Sequence, residues 1–230
     1  MTGADWLASL AAEDVVLGRV STAERVADFV RTRVMEGDLL PGTRLSEEVL
    51  RTALGVSRNT LREAFRLLTR ERLLVHEHSR GVFVRTPGEA DVVDLYAARR
   101  VIESGALNAW PTAPEDKRQK VRDAVRFQKE SAEAERWNDV ATGNMRFHQA
   151  ITGLVGSARL DEEVQRLLAE LRLMFLHMGD PREFHENYVL LNREILALAD
   201  DGEVAAAGEA LRKYFDVAEH HLLTRMRSHG

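Results

Sequence analysis

Apolar residues recur at helical spacing through the first third of the chain. Ala23, Val26, Ala27, Val30 and Val34 share one face of a helix predicted over 22–36. Leu39-Leu40-Pro41-Gly42 ends it in a turn. Ser46 suits an N-cap, and Glu47 and Glu48 suit the first turn of a second helix over 46–53. Gly55-Val56 is a tight connector. In a third helix over 57–71, Leu61, Ala64, Phe65 and Leu68 repeat at core spacing, and Arg58, Arg62, Arg66 and Thr69 fall opposite. Two β-prone runs, 73–77 and 81–85, pair across His78-Ser79-Arg80, and Thr86-Pro87-Gly88 makes a hinge.

From Glu89 onward every long segment has the helical period. Helices are predicted over 89–109, 114–136, 138–154, 158–178, 182–200 and 203–227, separated by Pro- and Gly-containing turns. The expected architecture is mainly α: a winged helix-turn-helix at 21–86, then an antiparallel six-helix bundle at 89–230 large enough to enclose a cavity. Residues 1–20 are a weakly patterned extension.

Composition narrows the function. Zero Cys excludes disulfides and thiolate metal sites. No apolar run approaches the roughly 18 residues of a membrane span, and the N-terminus lacks a basic leader, so a cytoplasmic location is expected. The net charge of −5 looks wrong for a nucleic-acid binder, but it is unevenly spread. Residues 44–85 hold nine Arg and no Lys against five acidic residues, whereas 89–230 hold 19 Lys/Arg against 25 Asp/Glu. The basic stretch coincides with the winged segment.

Ser57 as N-cap offers its hydroxyl and first-turn N–H groups to a phosphate. Arg58, Asn59, Thr60 and Arg62 project from the turn that reaches base edges. Arg matches guanine and Asn matches adenine. Arg44 and Arg66 suit phosphates, and Arg80 and Gly81 form a wing tip for the minor groove.

The run LLPGTRLSEEVLRTALGVSRNTLREAFRLLTRERLLV with RGVFV resembles the DNA-binding domain of the GntR superfamily of bacterial transcription regulators. The helical remainder resembles the FCD effector domain of the FadR-type branch. The chain departs from the family at Arg51, where a small residue is usual, and at Arg72, where Gly is usual. The resemblance implies a homodimer that reads a palindromic operator, acts as a repressor, and answers to a small organic-acid effector.

Arg99 shares a face with Leu95, Ile102 and Ala106, so it points into the bundle with Glu103 one turn on. In FCD domains this element lines the effector cavity, and the resemblance gives Arg99 a carboxylate ligand. The alternatives are a simple Arg99–Glu103 pair or a contact to the winged domain. Many FCD domains also bind a divalent metal through one Asp and three His. Here those positions read Asn144, His148, Asn192 and Tyr214, so only His148 is kept and no metal or other cofactor is expected. The four would instead hold a polar effector, or form a satisfied polar core. A displaced metal site is the remaining alternative: His185 and His221 lie two turns, about 10.5 Å, from Asn192 and Tyr214, and His177 could join them. Two other functional classes compete. One is a DNA-binding dimer whose helical domain has no effector role. The other is a helical enzyme, which lacks a nucleophile–base pair and paired inward carboxylates.

Overall fold

Ser21 starts the described structure with a reciprocal cap. Its hydroxyl accepts from the Glu24 N–H at 3.1 Å, and its own N–H donates to the Glu24 carboxylate at 2.8 Å. The computed structural model describes residues 21–177 and 181–229; the expected extension at 1–20 lies outside them. The chain divides into two units, one ending at Thr86 and one starting at Pro87.

In the first unit α1 (Thr22–Glu36) buries the five expected residues and closes on Gly37 at φ 85°. Strand β1 (Arg44–Leu45), α2 (Glu47–Leu54), α3 (Arg58–Arg70), β2 (Leu74–Glu77) and β3 (Gly81–Val84) follow. The sheet has three antiparallel strands in the order β1-β3-β2, with Arg44 opposite Phe83 and Glu77 opposite Gly81. The sequence predicts only two of them. A two-residue strand is too short to show alternation. Leu61, Ala64, Phe65 and Leu68 are the buried stripe of α3. Arg31 anchors α1 to the end of α3 through three hydrogen bonds to the Glu71 carboxylate, at 2.8–2.9 Å.

The second unit is helical throughout: α4 (Glu89–Leu107), a 3-10 turn at Trp110–Thr112, α5 (Glu115–Glu133), α6 (Trp137–Gly153), α7 (Ala158–His177), α8 (Pro181–Asp200) and α9 (Val204–His229). Helix α5 stops three residues before its predicted end, where Glu135 turns to φ 55°. Helix α6 packs against α4, α5, α7 and α8. It approaches α5 tightly at Gly143, where a Cβ would sit 2.8 Å from the Cβ of Gln128. Only glycine permits that spacing, and it seals Gln128 in the core. Among the described residues no helix is long and apolar enough to cross a membrane.

Candidate nucleic-acid interface and buried polar centre

Helix α3 presents the basic face because its apolar stripe fixes its rotation. Arg58, Asn59, Arg62 and Arg66 are exposed, and Thr60 is half-buried. The Ser57 hydroxyl is committed to the cap: it accepts from the Thr60 N–H at 3.1 Å and bonds the Thr60 hydroxyl at 2.8 Å. A phosphate at this end of the helix would therefore meet the N–H groups of Arg58 and Asn59 first. Arg62 leans on Glu47 of α2 at 3.3 Å, Arg66 on Glu63 at 2.9 Å, and Arg80 on Glu77. Among the described residues no carboxylate pairs with Arg44, Arg51 or Arg58. A cleft of about 520 Å³ runs between α3 and the wing, lined by Glu47, Arg62, Phe65, Arg66, His76 and Val82.

The sheet brings Arg44 to the wing. Its guanidinium lies 3.5 Å from where a Gly81 side chain would begin, and Gly81 takes φ 116°. Arg80 covers the Phe83 ring at 5.4 Å. The two family departures have visible settings. Arg51 shares a smaller cleft with Arg58 beside Glu47 and Glu48. Arg72 adopts φ 59°, a left-handed conformation that glycine would take without strain.

In the helical unit, Arg99 and Glu103 are both fully buried. Arg99 Nε donates to Glu103 Oε1 at 2.7 Å, and His148 Nδ1 lies 2.6 Å from Glu103 Oε2. Burial pushes the Glu103 carboxyl up, but Arg99 and His148 together hold it below the usual carboxylate range. Burial pushes His148 below its ordinary value despite the pull of Glu103. A neutral His148 then carries its proton on Nδ1 and leaves Nε2 as an acceptor. The Arg99 guanidinium lies against the rings of Tyr96 at 5.1 Å and Phe215 at 4.9 Å. Of the face assigned to α4, Leu95, Arg99 and Ala106 are buried and Ile102 is half-buried.

Asn144, Asn192 and Tyr214 meet as a second cluster. Asn144 Oδ1 accepts from Asn192 Nδ2 at 2.8 Å and from the Tyr214 hydroxyl at 3.0 Å. Asn192 Nδ2 also donates to Gln128 Oε1 at 2.9 Å. The His148 ring packs on Tyr214 at 4.8 Å, joining the two clusters. Gln128 was not identified in the sequence. Its only signal was a polar residue in line with the buried positions Val121, Ala124 and Val125. Several buried atoms have no hydrogen-bond partner among the described residues: both terminal nitrogens of Arg99, His148 Nε2, Asn144 Nδ2, Asn192 Oδ1 and the Tyr96 hydroxyl.

His185 and His221 both meet the ring of Phe184, at 5.0 and 4.5 Å, and His221 Nδ1 is 3.1 Å from the Tyr188 hydroxyl. The His177 side chain lies outside the described residues. Among the described residues no three His, Asp or Glu side chains gather in a way that could hold a metal ion. At the family's metal position the donors are one imidazole nitrogen, amide oxygens and a phenol, with Asn144 Oδ1 already bonded twice. That set does not fit a first-row divalent cation.

Comparison with known proteins accords with this geometry. Residues 22–84 match the model of bacterial regulatory proteins of the gntR family, and residues 94–217 match the FCD domain. The chain is 30% identical to the Nta operon transcriptional regulator of Aminobacter aminovorans, over 76% of this chain and 84% of that one. It is 35% identical to the gluconate operon transcriptional repressor of Bacillus licheniformis, over 38% of this chain and 36% of that one. Among solved structures it resembles a putative transcriptional regulator GntR from Rhodococcus sp. RHA1, with a TM-score of 0.82 and 39% identity, covering 89% of this chain and 99% of that one. These relatives are regulators, not enzymes. The chain belongs to the GntR family of bacterial transcription regulators, with a DNA-binding winged helix-turn-helix followed by an FCD domain.

Proposed function

We propose that the protein is a cytoplasmic, homodimeric repressor that binds a palindromic operator and is controlled by a small organic acid. Residues 21–86 read DNA. Residues 89–230 bind the effector and dimerise.

The observation that carries the effector reading is the state of Arg99. Its Nε is committed to Glu103, while both terminal nitrogens are buried with no hydrogen-bond partner among the described residues. Those two nitrogens form the end of the guanidinium fork, which takes a carboxylate through two parallel hydrogen bonds. His148 Nε2 and Asn144 Nδ2 add an acceptor and a donor, and suit an acid that carries a hydroxyl. Glu103, Asn192 and Tyr214 hold these groups in place. No metal takes part in this arrangement. Ligand binding would change the relative placement of the two DNA-reading domains of the dimer.

Dimerisation is supported by α4. Val93, Ala97, Val101 and Gly105 recur every fourth residue and are exposed, with Val101 77% accessible. A small, apolar stripe on a long helix suits a two-fold contact with the same helix of a second copy.

A thermal-shift screen of organic acids tests the effector reading. At least one hydroxy acid should stabilise the wild type. Arg99→Lys keeps the charge but loses the fork, so it should weaken that acid at least tenfold while DNA binding by the ligand-free protein persists. If no acid stabilises the protein, or Arg99→Lys binds it unchanged, the helical domain serves dimerisation alone or takes its ligand elsewhere.

A further inference from the structure

We propose that Arg172 of α7 and His185 of α8 form a second buried anion site, which takes a monocarboxylate whose apolar body lies against Phe175 and Phe184.

Arg172 is only 2% exposed, and its Nε has no hydrogen-bond partner among the described residues. No carboxylate among the described residues pairs with it. The contrast with other shielded arginines is direct: Arg31 is held by Glu71, and Arg99 by Glu103. Glu183, near the start of α8, is engaged by Arg225. An arginine cannot shed its proton, and a guanidinium buried without a counter-charge is destabilising. Its position therefore makes sense with an anion that this chain does not supply.

His185 completes the donor set. It is 1% exposed and its Nδ1 has no hydrogen-bond partner among the described residues. Its ring meets Phe175, one turn along α7 from Arg172, at 4.8 Å, and burial, with the positive charge of Arg172, keeps its imidazole neutral. A neutral imidazole can give one N–H to the ligand beside the guanidinium fork. A single cation next to a neutral donor balances one negative charge, so a monoanion fits better than a sulfate or a dicarboxylate.

The surroundings are apolar. Phe175 lies three residues after Arg172 and so shares its side of α7. The Phe175 ring is 4.7 Å from Phe184 and 4.8 Å from His185. Those aromatic faces favour a flat, apolar body on the acid. The site differs from the Arg99 centre in residues and in chemistry, since Arg99 engages Glu103 through Nε whereas no carboxylate among the described residues pairs with Arg172. It does not depend on an effector binding at Arg99.

The test is calorimetry on the full-length protein at fixed ionic strength, with sodium benzoate as probe and benzamide as its neutral match. The wild type should bind benzoate at least tenfold more tightly than benzamide. Arg172→Met should reduce benzoate affinity at least tenfold, and its ligand-free melting temperature should equal or exceed the wild-type value because an unbalanced charge has gone. Arg172→Lys keeps the charge and should show an intermediate loss. His185→Phe should weaken benzoate several-fold. The proposal is overturned if benzoate does not bind the wild type, if binding survives Arg172→Met, or if binding is lost in Arg99→Lys and kept in Arg172→Lys. A ligand-free Arg172→Met that melts well below wild type, or fails to fold, also overturns it, because Arg172 would then have an internal partner.

Discussion

Glu103 Oε1 accepts a hydrogen bond from Arg99 Nε at 2.7 Å, and neither side chain reaches solvent. The second carboxylate oxygen takes His148. Removing the carboxylate charge leaves a buried guanidinium with nothing to balance it, and breaking such a pair costs about 3–5 kcal/mol. Glu103→Gln is expected to lose that much stability in urea denaturation. Arg99→Met with Glu103→Leu should recover most of it, because an apolar pair carries no desolvation penalty. A Glu103→Gln variant within about 1 kcal/mol of wild type would show that the pair is not structural.

On the DNA side, Arg58 and Arg62 look equivalent in the sequence and differ in the structure. Among the described residues no carboxylate pairs with Arg58, while Arg62 rests against Glu47. Both project from the first turns of α3, so Arg58→Ala and Arg62→Ala should each weaken specific operator binding by about 1–3 kcal/mol. Arg44→Ala and Arg66→Ala, at positions suited to phosphates, should weaken all sequences alike and lower the salt slope by about 1 each. Fluorescence anisotropy at several salt concentrations separates the two behaviours. Wild-type affinity in both α3 variants would rule out the docking of this helix in the major groove.

The elements were legible where the pattern is long. Leu61, Ala64, Phe65 and Leu68 set the rotation of α3, and the caps at Ser21, Ser46 and Ser57 set three helix starts to within a residue. Strand β1 was not legible because two residues carry no period. Gln128 was not legible because its burial depends on the absence of a side chain at Gly143, on another helix. The burial of Arg172 follows from how α7 packs on its neighbours, not from the apolar spacing of α7 alone. Pattern reveals which face of a helix is inward. It does not reveal which buried polar groups meet, and the centre around Glu103 is built from such meetings across α4 and α6.

Acid stability should depend on His185. Burial first, and the charge of Arg172 second, hold its pKa down to about 3, against an ordinary value of 6.5. The folded pKa is depressed, so below pH 6.5 the unfolded chain binds the proton and the folded chain does not. Stability is therefore full above about pH 6.5 and is lost as the pH falls towards 3. Between pH 6.5 and 5 this single group should cost about 2 kcal/mol. His185→Phe should flatten that part of the profile when ΔG of unfolding is followed by urea titration at each pH. An unchanged slope would mean that His185 already takes up its proton in the folded state.

The exposed α4 stripe suits a two-fold contact. Val101 is 77% exposed and Val93 48%, with Ala97 between them and Gly105 one turn beyond. On a monomer these side chains would remain wet, whereas against a second copy the small residues at 97 and 105 would let two helices approach closely. A two-fold contact places each substituted residue near its own symmetry mate. Val101→Glu therefore introduces two like charges into a desolvated interface, a far larger penalty than one surface substitution carries. Sedimentation equilibrium should show a dimeric wild type and a Val101→Glu variant whose dissociation constant is raised at least a hundredfold. The isolated fold should survive, since Val101 contributes little to the protomer core, and circular dichroism would confirm it. Operator binding should weaken in parallel, because each half-site would then be bound independently. A Val101→Glu protein that remains a dimer would move the interface to another face of the helical domain.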